Sequence, residues 1–160
     1  MTAPTQAIIE PYRNFKFLVE IAGFTSAGFN KVSGLKMTTD VIEYREGGEN
    51  TTVRKLPGQT KFEPITLERG ATQSLEMWDW ACQVHKTAGG GSTSITRKDI
   101  TIKLIGKSNK ILRSWIVYRT WASEWELGEL DAKGNDVVIE RVVLQNEGIE
   151  NGVTPVADDI

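Results

Sequence analysis

The chain has 160 residues, 39% of them hydrophobic and 25% charged, with a formal net charge of −2. That is the usage of one ordinary globular domain, residues 1–160, large enough to bury a core without staples. A nucleic-acid footprint is excluded by the lack of any basic block, a membrane-spanning helix by the lack of a long apolar run, and an internal disulfide by the single cysteine, Cys82.

The start, "MTAPTQAIIEPYR", has neither a basic n-region nor an apolar h-region, so it is not read as a secretory signal. Residues 1–11 and 151–160 are expected to be flexible tails or to become ordered at an interface. "NFKFLVEI" alternates, with Phe15, Phe17, Val19 and Ile21 on one face and Leu18 as an intrusion on the other. "AGFTSAGFNKVSGL" reads as turns around a short strand. "MTTDVIEYREG" is a second alternating strand. Then comes a polar stretch, Glu46 to Phe62, which reads as a long loop. Pro57 and Gly58 suit positions i+1 and i+2 of a type II turn within it. Long loops without regular structure are uncommon and tend to be functional, so this one is expected to dock something. "FEPITLERG" is the next strand.

Thr72 to Lys86 is the one convincing helix, with Thr72 as its expected N-cap. Leu75, Trp78, Cys82 and His85 fall on one face, broadened by Met77, Ala81 and Val84, and that face is expected to pack on the sheet. "AGGGSTS" follows as a linker. "KDITIKLIG" and "ILRSWIVYRTW" are strands, "EWELGELDAKGND" a loop, and "VVIERVVLQNEGI" the last strand. The fold class is therefore mainly β: an antiparallel barrel or sandwich of six to seven strands with one flanking helix. In "SWIVYRTW" both faces are apolar, with Trp115, Val117 and Trp121 opposing Ile116 and Tyr118. A sheet with one wet face should not look like this, so a second layer or another subunit is expected to cover it.

Chemistry is hard to find. One His and one Cys are a poor base for zinc. Cys82 and His85 share a helix face as a nucleophile and base would. The simpler reading is a small buried thiol and a histidine favoured by the helix C-terminus. "AGGGSTS" lacks the lysine of a phosphate loop and follows a helix instead of opening one. Glu124, Glu126, Glu129 and Asp131 are read as a solvated loop or a charged interface patch, and the five tryptophans as core or interface. No catalytic residue, cofactor or metal ligand is assigned.

The segments "FLVEI", "FNKVSGL", "DVIEYREG", "RKLPGQTKFEPITLERG", "WDW", "RKDITIKLIG" and "LDAKGNDVVIERVVLQNEGIE" occur in this order. Together they resemble the tail tube proteins of contractile phage tails and of extracellular contractile injection systems. The resemblance spans roughly Tyr12 to Glu150. It implies a small β-barrel or sandwich that forms hexameric rings, stacked into a hollow tube within a sheath and driven through a target envelope. It implies as partners further copies of the chain, a sheath protein, baseplate and tube-initiator proteins, and a terminator or cap. DNA or a protein effector would fill the lumen, with no direct insertion of this chain into a membrane. Assembly is expected in the cytoplasm, for a virion tail or a released or cell-anchored particle. An adaptor or terminator of the same fold is the alternative reading. The docking loop then becomes an inter-subunit or stacking element, with Glu46, Glu49, Arg54, Lys55, Leu56, Pro57, Gly58 and Lys61 as its contact residues.

Overall fold

The computed structural model describes residues 16–22, 28–45, 47–48, 52–88, 96–106 and 109–152, the side chains of 85–88 excepted. Nine strands and one helix occur among them: β1 (Lys16–Ile21), β2 (Lys31–Ser33), β3 (Met37–Tyr44), β4 (Arg54–Phe62), β5 (Ile65–Gly70), α1 (Glu76–Ala88), β6 (Lys98–Ile105), β7 (Ile111–Leu127), β8 (Ile139–Gln145) and β9 (Gly148–Asn151). Seven strands form one antiparallel sheet in the order β1-β6-β7-β8-β5-β2, with β9 also on β7. β3 and β4 pair only with each other. The expected mainly-β class with one flanking helix holds. The barrel does not close, because β1 and β2 remain its two outer edges.

The sheet turns on β7, a 17-residue strand whose first part pairs with β6 and whose last part pairs with β8. Arg119 makes the change of sheet possible. It sits at φ 52°, a left-handed conformation that costs a non-glycine residue roughly 1–2 kcal/mol. Its amide donates to Asp99 Oδ1 at 2.9 Å. A second irregularity falls between Ala122 and Glu124. Each break shifts the alternation by one residue. Val117 faces the core before Arg119, Thr120 and Ala122 face it afterwards, and Trp125 packs against it after the second shift. Trp121 thus lies on the opposite face from Val117, because the strand changes phase between them. The loop expected at "EWELG" is the end of this strand, which runs on to Leu127.

The core lies between the two halves of the folded sheet. Val19, Ile21, Ile100, Ile102 and Val117 come from one half, Ile65, Leu67, Val142 and Leu144 from the other, and Met77 and Trp80 from α1. α1 has 13 residues and packs on β7. It starts at Glu76, later than expected. Thr72 closes a local turn by accepting the Ser74 amide at 3.3 Å, and Leu75 provides the first helical carbonyl, to Asp79 N at 2.8 Å. Leu75 has no capping side chain, so Glu76 and Asp79 in the first turn are what oppose the positive end of the dipole. The buried face also differs from the expected one. Met77 and Trp80 are sealed in, whereas Leu75 and Trp78 are 63% and 44% exposed. Trp80 is held by its Nε1 donating to the Thr96 carbonyl at 3.2 Å. Trp78 meets only the edge of the core, T-shaped against Trp125 at 4.6 Å.

One charged pair lies within this packing. Arg69 on β5 and Glu140 on β8 are register partners, 2% and 5% exposed, with Nε to Oε2 at 3.0 Å. Trp125 Nε1 donates to the other Glu140 oxygen at 2.7 Å. Arg69 also reaches the Ser74 carbonyl at 3.4 Å, tying the entry of α1 to the sheet.

Candidate assembly interface

The stretch read as a long loop is largely a strand. β3 and β4 form a two-stranded ribbon with Tyr44 opposite Arg54, Glu43 opposite Lys55, Ile42 opposite Leu56 and Val41 opposite Pro57. The register then shifts, and Thr39 faces Thr60 with their hydroxyls 2.9 Å apart. Pro57 and Gly58 are therefore not a type II turn. Gly58 lacks the positive φ that such a turn requires; Gly48 near the ribbon's tip has it, at 113°. Gly58 and Gln59 instead form the bulge opposite Asp40, where a Cβ on Gly58 would lie 3.0 Å from the Asp40 carbonyl oxygen, and Pro57 pairs with Val41 beside it. Proline is tolerated there because each strand of an isolated ribbon is an edge strand, with one side of its backbone unclaimed.

The ribbon is a continuation of the β2–β5 pair that leaves the sheet. At the bend Gly34 takes φ 95°, and any Cβ on it would collide with the Pro64 carbonyl oxygen. Pro64 ends the ladder from the other strand by lacking an N–H. One hydrogen bond, Glu63 N to the Lys36 carbonyl at 3.0 Å, closes the ribbon just beyond the bend. Asn146 Nδ2 holds the Glu63 carbonyl at 2.9 Å and so fixes where the ribbon departs.

Every residue of β3 is exposed, as are all of β4 except Gly58 and Phe62. Met37 and Val41 lie on one face, Ile42, Tyr44 and Leu56 on the other. An isolated two-stranded hairpin is at best marginally stable in water, and this one has apolar side chains on both faces with no layer beneath either among the described residues. Of the residues expected to make the contact, Arg54, Lys55, Leu56, Pro57, Gly58 and Lys61 are brought together on β4. Lys61 is paired within the arm, to Asp40 at 3.1 Å. Glu46 and Glu49 lie outside the described residues, as does the "GGGSTS" stretch, 89–94. Sequence reasoning missed Met37, Val41, Ile42 and Tyr44. Their alternation was visible, but a half-buried strand and an unsupported arm alternate alike.

Elsewhere the described residues hold little that resembles a reaction centre. No group of three or more His, Cys, Asp or Glu is placed to hold a metal ion among them. Glu126, of the acidic stretch, is bound to Arg141, which also bridges to Glu68 on the sheet surface. Tyr118 donates to Glu150 at 3.0 Å, and this hydrogen bond, followed by minor burial and the neighbouring carboxylate charge, raises its phenol above the ordinary range. No helix among the described residues is long and apolar enough to cross a membrane.

The T4-like virus tail tube protein gp19 family model matches residues 13–150. The chain belongs to this tail tube family. A comparison with curated proteins finds no match. Among solved structures, a chain of the extracellular contractile injection system PVC sheath-tube complex in its extended state is 29% identical. The match covers 96% of this chain and 100% of that one, at a TM-score of 0.76. A chain from the anti-feeding prophage cap, the AFP tube terminating cap, is 26% identical over 96% of this chain and 99% of that one, at a TM-score of 0.80. Hcp1 from Flavobacterium johnsoniae, 19% identical over 86% of this chain and 95% of that one, shares the fold at a TM-score of 0.52. Tail tube family membership accords with a structural role.

Proposed function

We propose that this chain is the structural subunit of the inner tube of a contractile tail or contractile injection particle. Six copies form a ring, rings stack into a hollow conduit, and the conduit is driven through a target envelope when a surrounding sheath contracts. The observation that carries this reading is the β3–β4 arm, an exposed ribbon with apolar residues on both faces along which no other described strand or helix packs. Such an element gains its stability from a neighbour, and repeated head-to-tail use of one arm builds rings and filaments. Sheath, baseplate and tube-initiator proteins and a cap are its further partners, and the lumen carries DNA or a protein effector. The subunit is assembled in the cytoplasm and has no catalytic role.

A second reading has its own support, since a chain of the AFP tube terminating cap is similar over nearly the full length. A terminator or adaptor would form single rings and stop. Electron microscopy and sedimentation across rising concentration separate the two. Long hollow filaments support the tube and isolated rings the terminator, while a strict monomer at every concentration overturns both.

A further inference from the structure

The sequence holds a single Asn-Gly step, Asn151-Gly152, and the fold explains why glycine stands there. Asn151 ends β9, opposite Trp115 on β7. At the next position a Cβ would collide with Ser114 Oγ, so no larger residue fits against β7. Packing thus forces the residue pair in which an asparagine is chemically least stable. A glycine nitrogen has no Cβ beside it to hinder attack, and its backbone swings freely toward the preceding side chain. Asn151 is exposed, so water reaches it.

β7 claims both groups that would react. The Gly152 amide donates to the Ser114 carbonyl at 2.8 Å. The Asn151 Oδ1 accepts from the Arg113 guanidinium at 3.1 Å. The nitrogen that would attack is tied to one residue of β7, and the carbonyl it would attack is tied to the residue before it. Ring closure needs these two groups brought together, with the backbone at Asn151 out of its extended form.

We propose that Asn151-Gly152 is a site of spontaneous modification, held latent by these two contacts with β7. When the end of β9 opens, the Gly152 nitrogen loses its proton to solvent and attacks Asn151 Cγ. The Cγ–Nδ2 bond breaks, and Nδ2 takes up a proton and leaves as ammonia. The product is a cyclic imide, and water adds to either of its carbonyls to open the ring. One opening gives aspartate with the ordinary backbone. The other gives isoaspartate, whose main chain runs through the former side-chain methylene. In sum the chain takes up one water and releases one ammonia. The two products differ in what they do to the fold. Aspartate keeps an acceptor for Arg113 and makes that hydrogen bond a charged pair. Isoaspartate lengthens the backbone and carries Gly152 off the Ser114 carbonyl, so the end of β9 cannot close again. Transient opening of this strand end is thereby recorded permanently in the covalent structure.

The test incubates the full-length chain in mildly alkaline buffer, folded and in guanidinium chloride. Peptide mass spectrometry reads conversion at residue 151, and labelling by an isoaspartate-specific methyltransferase separates the products. The unfolded chain is expected to convert at Asn151 faster than at any other asparagine, with isoaspartate in excess. The folded chain should convert about tenfold more slowly, or slower still, because it reacts only through local opening. Arg113→Ala should speed the folded reaction several-fold and leave the unfolded rate unchanged. Asn151→Gln, which would have to close a larger ring, should fold normally and give neither product. Asn151→Asp should retain the hydrogen-exchange protection of the Gly152 amide, whereas the isolated isoaspartate form should lose it. Equal rates in the folded and unfolded chains would show that β7 holds nothing back. No conversion at Asn151 in the unfolded chain would remove the site altogether, and an unaltered folded rate in Arg113→Ala would remove Arg113 from the latch.

Discussion

Arg69 and Glu140 show how much a single buried pair controls in this fold. Each is almost fully enclosed, and the carboxylate is held by both the guanidinium and the Trp125 indole. Removing one partner of such a pair leaves an uncompensated charge in the interior, at a cost of about 3–5 kcal/mol. Glu140→Gln is therefore expected to lower the denaturant midpoint sharply. Exchanging both residues for apolar ones of similar size should cost far less, since the desolvation penalty is then removed as well. Chemical unfolding of the single and double variants checks this. Gly34 is sensitive for a different reason. Its positive φ and the Pro64 carbonyl oxygen leave no room for a side chain. Gly34→Val should cost about 1–3 kcal/mol, and circular dichroism through a thermal melt would show it. Cys82, only partly buried, should be replaceable by serine with about 1 kcal/mol or less of destabilisation.

At the scale of elements, the helix and the arm call for opposite expectations. α1 is anchored by Met77 and Trp80, which reach the core. Trp80→Ala should cost about 3–5 kcal/mol by opening a cavity under the helix. Leu75→Ser on the exposed side should change stability by about 0.5 kcal/mol or less. The sequence pattern had placed Leu75 and Trp78 inward, so this pair of melts separates the two assignments. The arm behaves the other way. Joining Thr39 to Thr60, which are register partners, by an Asn-Gly turn removes its outer part and leaves its root intact. The shortened chain should keep its melting temperature at concentrations too low for assembly, because no residue of β3 or β4 belongs to the core cluster, yet fail to elongate. Light scattering at rising concentration would report it, and normal elongation would mean the arm is only a surface connection.

For the whole molecule, the open sheet decides the behaviour. Among the described residues no strand pairs with the outer edges of β1 and β2, with one edge of β9 or with the two outer edges of the arm. A monomeric β-protein carries such edges as an aggregation liability, whereas a ring-former covers them with identical neighbours. The apparent melting temperature should therefore rise with protein concentration, since assembly binds the folded state alone. Scanning calorimetry at a series of concentrations tests this, and a midpoint independent of concentration would mean that no edge or face is covered in solution. The family match and the apolar exposed arm bear on the same point from different sides: one concerns ancestry, the other unspent surface.

The sequence by itself determined the mainly-β class, the single helix, most strand positions and the tail tube family, because period-2 alternation and ordered local motifs are written residue by residue. The inner face of β1, the strand from Ile65 and the turn-rich stretch around Lys31–Ser33 could all be read this way. Only the tertiary structure decided that Pro57 and Gly58 lie within a strand, with Gly58 at its bulge. A proline is permitted in a strand only where one backbone side is unclaimed, and that depends on what lies alongside. It alone decided the face of α1, where Trp80 rather than Trp78 found space between β7 and the Thr96 carbonyl. It alone showed that β7 changes phase at Arg119, since a residue's side of a sheet depends on every backbone irregularity before it. And it alone placed the bend where the arm leaves the sheet, because Gly34 and Pro64, distant in sequence, meet there, a relation no local pattern encodes.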